Sequence, residues 1–226
     1  MVLERKIIEE NLENTSISEY LAKNLERAGY GGVQIKRGPL GTRIIVHVET
    51  PGLAIGRKGR SVRKLTRDLE KKFSIDNPQI EVEEVKKPDL NAHIMAHSTA
   101  SELERGYHYR RTAYKLLRRI MDSGAKGAEL VLSGKLTGQR SRTVKFTKGY
   151  LKKCGDPALK LVDHGYAAAR VKLGILGVTV KIMPPDVTLP DEIHIIEQKE
   201  DIEVEKEEEK EEVEKKGKKV KKAKEE

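Results

Sequence analysis

A four-residue turn at 56–59, in which two glycines enclose an Arg-Lys pair, constrains the fold more than any other stretch. An amphipathic pattern begins directly after it, because apolar residues recur with the spacing of one buried helix face at Val62, Leu65, Leu69 and Phe73. A glycine turn that opens a helix allows close backbone approach and leaves unpaired N–H groups at the positive end of the helix dipole. The pattern therefore predicts a turn and a helix that together meet an anion.

The same stretch is strongly basic. Between residues 56 and 72 there are eight Lys or Arg and only two acids, which indicates a polyanionic ligand. The alternative is a joint between two helices whose charges are merely solvated. The candidate binding residues of this stretch are Gly56, Arg57, Lys58, Gly59, Arg60, Arg63, Lys64 and Arg67.

Net charge narrows the class of ligand. The 226-residue chain has a formal net charge of +9, which divides into +14 for residues 1–190 and −5 for residues 191–226. A folded part this basic usually binds phosphate, either in nucleic acid or at an anionic membrane surface. We expect no membrane partner, because no apolar run is long enough to span a bilayer and the N-terminus lacks the apolar segment of a signal peptide.

Residues 1–88 are predicted to form a first domain of mixed helices and strands. The predicted order is two helices, two strands, a short helix, the glycine turn, a long helix and a strand. Ser16 and Glu19 have the spacing of a capping box, so one helix is predicted over 2–13 and a separate one over 16–28.

Residues 89–190 are predicted to form a second α+β domain, in which a pair of helices packs against one sheet of four strands. The helices are predicted at 90–105 and 107–122, and the strands at 128–133, 142–148, 161–173 and 178–183. The Gly-Ile-Leu-Gly segment at 174–177 is interpreted as the turn between the last two strands. Residues 191–226 form a charged segment without aromatic residues, for which disorder is predicted.

Two further basic segments lie in the second domain. In its second helix Asp122 is the only nearby acid, so pairing along the helix does not explain the cations at Arg110, Arg111, Lys115, Arg118 and Arg119, although they could serve helix formation and solubility alone. Residues 133–153 contain no acid and are interpreted as a loop that needs phosphate to neutralise it. Its candidate binding residues are Lys135, Arg140, Arg142 and Lys145.

Motifs for catalysis or for cofactors are not found. Cys154 is the only cysteine, and His93 and His97 have helical spacing but no evident third metal ligand. The chain contains neither a P-loop nor a G-x-G-x-x-G fingerprint. We therefore predict no catalytic residue, no metal site and no cofactor.

The order of elements around 56–59 resembles the type II KH domain, a three-stranded sheet with helices on one face. Downstream, the Arg110-Arg111 helix, the Gly-Ala-Lys-Gly segment at 124–127, the Leu-Ser-Gly-Lys-Leu segment at 132–136 and the segment 174–182 resemble the carboxy-terminal domain of the universal small-subunit ribosomal protein three family, in its archaeal and eukaryotic form. Together these similarities cover about residues 1–185.

The resemblance implies a non-enzymatic constituent of the small ribosomal subunit, located in its head, cytoplasmic and ribosome-bound. The implied partners are small-subunit ribosomal RNA, messenger RNA at the entrance through which it is threaded, and neighbouring head proteins. Arg110 and Arg111 match positions where the family presents cations to messenger RNA, and Lys115 matches the next basic position.

Two other classes of function stay open at this stage. A regulatory KH protein usually has a second KH copy or a GTPase domain, and neither pattern is found. An enzyme acting on nucleic acid through a lysine nucleophile would need an activating environment that no lysine here shows.

Overall fold

The architecture is that of a computed structural model describing residues 2–38, 41–73 and 77–189. In its first part β1 pairs antiparallel with β2, and β2 pairs parallel with β3, so that the strand order is β1-β2-β3. The chain crosses from β2 to β3 through two helices. The elements of this part are α1 Val2–Asn24, β1 Tyr30–Gly38, β2 Gly41–Val48, α2 Pro51–Ile55, α3 Arg60–Phe73 and β3 Gln79–Glu84.

Helices cover one face of this sheet because apolar side chains alternate along β2 and recur at helical spacing along α1 and α3. Burial of these side chains removes apolar surface from water and supplies the main stabilisation of the layer. The fully or nearly fully buried residues include Ile17, Leu21, Ile44, Val46, Val48, Leu65 and Leu69.

α1 is one continuous helix, so the prediction of separate helices over 2–13 and 16–28 is wrong. Ser16 lies inside α1 and caps nothing. The polar residues around it are accommodated because their hydroxyls donate back to helical carbonyls, Thr15 to Asn11 at 2.8 Å and Ser18 to Thr15 at 2.7 Å. A capping-box spacing therefore does not mark a helix start where hydroxyl side chains can bond within the helix.

The second part contains a four-stranded antiparallel sheet with strand order β5-β4-β7-β6. Alternating residues of β4 and β7 are buried against α4 and α5, whose apolar faces complete one core. The elements of this part are α4 Ala92–Glu104, α5 Tyr109–Asp122, β4 Gly127–Gly134, β5 Arg142–Gly149, α6 Asp156–Lys160, β6 Asp163–Val171 and β7 Gly174–Met183.

Two details of the second part differ from prediction. Residues 174–177 are the start of β7 and not a turn, because Gly174 pairs with Val171 and Leu176 extends the buried alternation of that strand. The turn that joins β6 to β7 is formed by residues 172–173 instead. The short helix α6, with a proline in its first turn, was not predicted.

The predicted fold class is confirmed: a three-stranded sheet with helices is followed by a two-helix, four-stranded α+β arrangement. Each sheet has its own hydrophobic core. The boundary between residues 88 and 89 stays a prediction, and the predicted disorder of residues 191–226 lies outside the described residues. None of the described helices combines the length and the apolar character that crossing a bilayer requires.

Asn91 connects the two parts. Its Oδ1 caps α4 by accepting from the backbone N–H groups of His93 at 3.0 Å and Ile94 at 3.2 Å, while its Nδ2 donates to the carbonyl of Gly31 in β1 at 3.0 Å. A single side chain thus satisfies the start of α4 and attaches this helix to the first sheet.

We predict that Asn91→Asp and Asn91→Ala separate these two roles. Aspartate keeps the cap but loses the donor to Gly31, so it should lower the free energy of unfolding by about 1 kcal/mol. Alanine loses both and should lower it by about 2 kcal/mol. Chemical denaturation of the full chain measures the difference.

The control for these variants is Asn11→Asp, the same chemical change at an exposed position of α1, where the stability should stay within about 0.5 kcal/mol of the parent. Equal stability of Asn91→Asp and the parent chain would show that the bond to Gly31 contributes nothing.

Candidate nucleic-acid interface

The 56–59 turn projects two cations between α2 and α3. Residues Arg57–Gly59 form a single 3₁₀ turn, in which Lys58 adopts left-handed backbone angles (φ 55°, ψ 28°). The side chains of Arg57 and Lys58 are exposed. The backbone therefore holds an Arg-Lys pair in solvent immediately before the N-terminus of a basic helix.

The two glycines of the turn meet different requirements. Gly56 has φ 71°, and a Cβ at this position would overlap the Ser61 hydroxyl, so Gly56 serves the packing of the turn on α3. Gly59 has φ 70°, and a Cβ there would meet nothing within 4 Å. Open space for the close approach of a ligand backbone is therefore found at Gly59 and not at Gly56.

The basic face of α3 continues from the turn. Arg60, Arg63, Lys64 and Arg67 are exposed and line a shallow groove with Lys71. Asp68 also lines this groove, but its carboxylate accepts a 2.8 Å hydrogen bond from the Tyr20 hydroxyl. Burial, followed by the adjacent Asp68, raises the pKa of Tyr20, which keeps its proton available for this bond.

Two apolar side chains beside the turn were missed in the sequence. Leu53 and Ile55 of α2 are 62% and 42% exposed, whereas Ala54 between them is fully buried. A short helix that buries only its smallest apolar residue leaves the larger ones in solvent. Such side chains can contact the sugar or base of a nucleotide whose phosphate lies at the turn.

At α5 the structure divides the five predicted cations into two groups. Arg110, Arg111 and Arg118 are exposed, and no ion pair is found for them within the described part of the chain. Lys115 and Arg119 instead reach acids outside the helix: Lys115 Nζ lies 2.6 Å from Glu102 of α4, and Arg119 Nε lies 2.6 Å from Asp89.

Both acids lie outside α5, so these contacts agree with the prediction that pairing along the helix does not account for its cations, but they show that Lys115 and Arg119 have acid partners of another kind. Only neighbours along the helix were considered, whereas Glu102 and Asp89 are brought to α5 by tertiary packing. These two pairs lie on the surface, so their contribution to stability is small, about 0 to 1 kcal/mol each. Their main consequence is that Lys115 and Arg119 are less available to a phosphate than Arg110, Arg111 and Arg118.

The interpretation of residues 133–153 as a loop is only partly correct. Lys135 and Arg140 lie in the connection between β4 and β5, but Arg142 and Lys145 belong to β5 itself. All four side chains are exposed. β5 is at the edge of the sheet and packs next to α5, where the rings of Tyr114 and Phe146 meet edge to face with centroids 5.5 Å apart.

The cations thus fall into two patches. The first patch comprises the 56–59 turn and the exposed face of α3. The second comprises α5 and β5, joined through the contact of Phe146 with Tyr114, which is itself 65% exposed. Both patches can neutralise a phosphodiester backbone without reading its sequence.

The described residues also show whether any side chains could together hold a metal ion. Across residues 2–38, 41–73 and 77–189 no group of three or more potential ligands among His, Cys, Asp and Glu is positioned to hold an ion. His97 Nδ1 lies 3.8 Å from a carboxylate oxygen of Glu26.

Comparison with known families supports both halves of the resemblance. The KH domain family matches residues 16–90, and the family described as ribosomal protein S3, C-terminal domain, matches residues 99–182. The first range contains the three-stranded sheet, α2, α3 and the end of α1, and the second contains nearly all of the four-stranded sheet, α5 and the second half of α4.

Three similar curated proteins are each named small ribosomal subunit protein uS3. The protein from Methanococcus maripaludis is 54% identical over 195 residues, which cover 86% of this chain and 92% of the relative. The protein from Methanobrevibacter smithii is 50% identical over 89% of this chain and 80% of the relative. The protein from Methanothermobacter thermautotrophicus is 53% identical over 84% of this chain and 74% of the relative.

The identities extend across most of the chain and across most of each relative, so they are not limited to one domain. Proteins of this family are structural constituents of the ribosome and not enzymes, in agreement with the prediction from the sequence. The chain belongs to the uS3 family of small ribosomal subunit proteins.

Proposed function

We propose that this protein binds small-subunit ribosomal RNA through its two cationic patches and, in the head of the subunit, helps form the entrance channel for messenger RNA. The observation that carries the proposal is a set of exposed cations without acid partners in the described residues, at the 56–59 turn, on α3 and at the start of α5. Membership of the uS3 family makes the protein ribosome-bound and cytoplasmic.

Ribosomal RNA is held by charge and shape. Each Lys or Arg that neutralises a phosphate releases a counterion, which gives affinity with little sequence specificity. At the first patch, Gly59 leaves room for the RNA backbone while Arg57 and Lys58 flank it. At the second patch, the exposed ring of Tyr114 offers a stacking surface for an unpaired base.

Messenger RNA meets the start of α5. Arg110 and Arg111 lie in the first turn of this helix, after the N-cap His108, whose side chain accepts from the backbone N–H of Arg110 at 3.4 Å. Both arginine side chains are exposed, and they add to the positive end of the helix dipole. A single strand passing this point meets a concentrated positive charge that follows no particular base sequence. Neighbouring proteins of the subunit are the remaining partners.

We predict that Arg110→Ala together with Arg111→Ala impairs messenger RNA handling but not assembly. The double variant should co-sediment with small subunits through a high-salt wash, because the other cations remain. The affinity of these subunits for an unstructured messenger RNA is measured over a salt titration. The negative slope of log affinity against log salt should decrease in magnitude by about 1.4, that is, by about 0.7 for each lost phosphate contact.

The control is Lys6→Ala together with Lys86→Ala, which removes two exposed cations from α1 and from the segment after β3. Unchanged messenger RNA binding and unchanged initiation in the Arg110/Arg111 variant would contradict the role given to these residues.

A second prediction separates stability from RNA affinity at Lys58. Left-handed backbone angles cost a residue with a side chain about 1 to 2 kcal/mol relative to glycine. Lys58→Gly should therefore raise the free energy of unfolding by up to about 1 kcal/mol, once the greater freedom of glycine in the unfolded chain is counted. Lys58→Ala should leave it nearly unchanged.

Both Lys58 variants should bind a transcript of small-subunit ribosomal RNA more weakly, and by the same factor, because each removes the same charge. Denaturation and filter binding measure the two quantities. If either variant kept the full affinity, Lys58 would have no part in RNA binding.

A further inference from the structure

A cleft lies where the two sheets' helix layers meet. One wall comes from the end of α1 and the turn that follows it, the opposite wall from α4, and the end from β6. Its volume is about 880 Å³, within the roughly 300–1,000 Å³ of many ligand sites. The floor is formed by the buried Ala100, and the cleft is distinct from both cationic patches.

Four cations from different elements surround this cleft: Lys23, Arg27, Arg105 and Arg170. All four side chains are exposed, and none forms an ion pair with another described residue. They are far apart in the sequence, so no run of basic residues indicates them.

Two acids, Glu26 and Glu104, also line the cleft. Glu26 faces the ring of His97 at 3.8 Å, and Glu104 accepts from the backbone N–H of Arg170 at 2.9 Å. Burial lowers the pKa of His97, an effect that the nearby Glu26 opposes. Neither contact removes a negative charge, but the four cations outnumber the two carboxylates, so the cleft keeps an excess of positive charge.

The lining indicates how a ligand would be recognised. Apart from charged groups it contains two alanines, Ala100 and Ala168, the exposed hydroxyl of Ser101 and the ring of His97. The lining contains no Phe, Tyr or Trp on which a nucleobase could stack, and its one ring is the half-buried imidazole of His97, whereas a phosphodiester would find four cations and a hydroxyl donor. The excess of cations and the scarcity of stacking surface favour phosphate and sugar over bases.

We propose that this cleft binds the phosphodiester backbone of ribosomal RNA and so fixes the first part of the protein against the second. The inference rests on the proposed function, because it assumes that the protein binds ribosomal RNA. It adds a third contact, in which one RNA strand bridges α1 to α4 and β6. RNA in the cleft therefore stabilises the arrangement that the bond between Asn91 and Gly31 maintains in the free chain.

The first test is Arg105→Gln together with Arg170→Gln in the full chain. Binding to a transcript of small-subunit ribosomal RNA is measured over a salt titration. The slope of log affinity against log salt is negative, and its magnitude should decrease by about 1.4 to 1.8, since each phosphate contact contributes about 0.7 to 0.9. The matched control, Lys6→Gln together with Lys86→Gln, removes the same charge from exposed positions outside the cleft and should change the slope by less than half of this.

The second test reports on occupancy of the cleft. In a Cys154→Ser background, Ser101→Cys places a single thiol in the cleft, and Ser16→Cys places one on the exposed surface of α1. The ribosomal RNA transcript should slow alkylation of Cys at position 101 at least tenfold and leave position 16 within twofold. Inorganic phosphate at the same total phosphate concentration should protect neither position.

The outcomes separate this inference from the proposed function. If the parent chain binds the transcript, but Arg105→Gln/Arg170→Gln matches its control and position 101 is unprotected, the cleft inference fails and the proposed function stands. If the parent chain does not bind the transcript, the proposed function fails first. Protection of position 101 by inorganic phosphate as strongly as by RNA would overturn the assignment to an RNA backbone and indicate a site for small anions.

Discussion

One side chain, that of Asn91, links the two halves of this protein by a hydrogen bond between α4 and β1. It ends the irregular segment after β3, caps α4 and donates to β1 at the same time. Because α4 supplies a wall of the basic cleft and also carries Glu102, which pairs with Lys115 of α5, the placement of α4 affects every cationic surface downstream. The hydrogen bonds of Asn91 thus help to position the charged side chains that α4 carries or contacts.

The excess of positive charge explains where the exposed cations of this protein are located. Cations that repel each other have to be held on helices and strands whose opposite faces are firmly buried, as on α3 and α5, where leucines occupy the core face. The pairs of Lys115 with Glu102 and of Arg119 with Asp89 relieve part of this repulsion within α5. The remaining charge has no acid partner among the described residues and, under the proposed function, is neutralised by the phosphates of ribosomal RNA.

Local patterns in the sequence were sufficient for most of the fold. The amphipathic spacing of α3 and the alternation in β7 depend only on residues a few positions apart, so they were predicted correctly. The continuity of α1 was missed because hydroxyl groups that suggest a cap can equally bond within a helix.

Contacts between distant residues were not predictable in the same way. The partners of Lys115 and Arg119 lie 13 and 30 positions away, and the cations of the cleft come from four separate elements. Side-chain spacing along one element cannot show such pairs. A family resemblance indicates the order and pairing of the elements but not the distances between their side chains. The exposed cations could therefore be predicted from the sequence, whereas their division into paired and unpaired groups could not.

The edge position of β5 has a consequence for the protein before it joins a ribosome. In the described part of the chain β5 pairs only with β4, so the backbone groups along its other side are free to pair with a strand of another molecule. Natural proteins often discourage such pairing with lysine and other charges on the edge, and Arg142, Lys145 and Lys148 are exposed there. The same charges can therefore keep newly made chains apart until RNA covers them, so replacing them to study RNA binding would also increase the tendency of the free protein to aggregate.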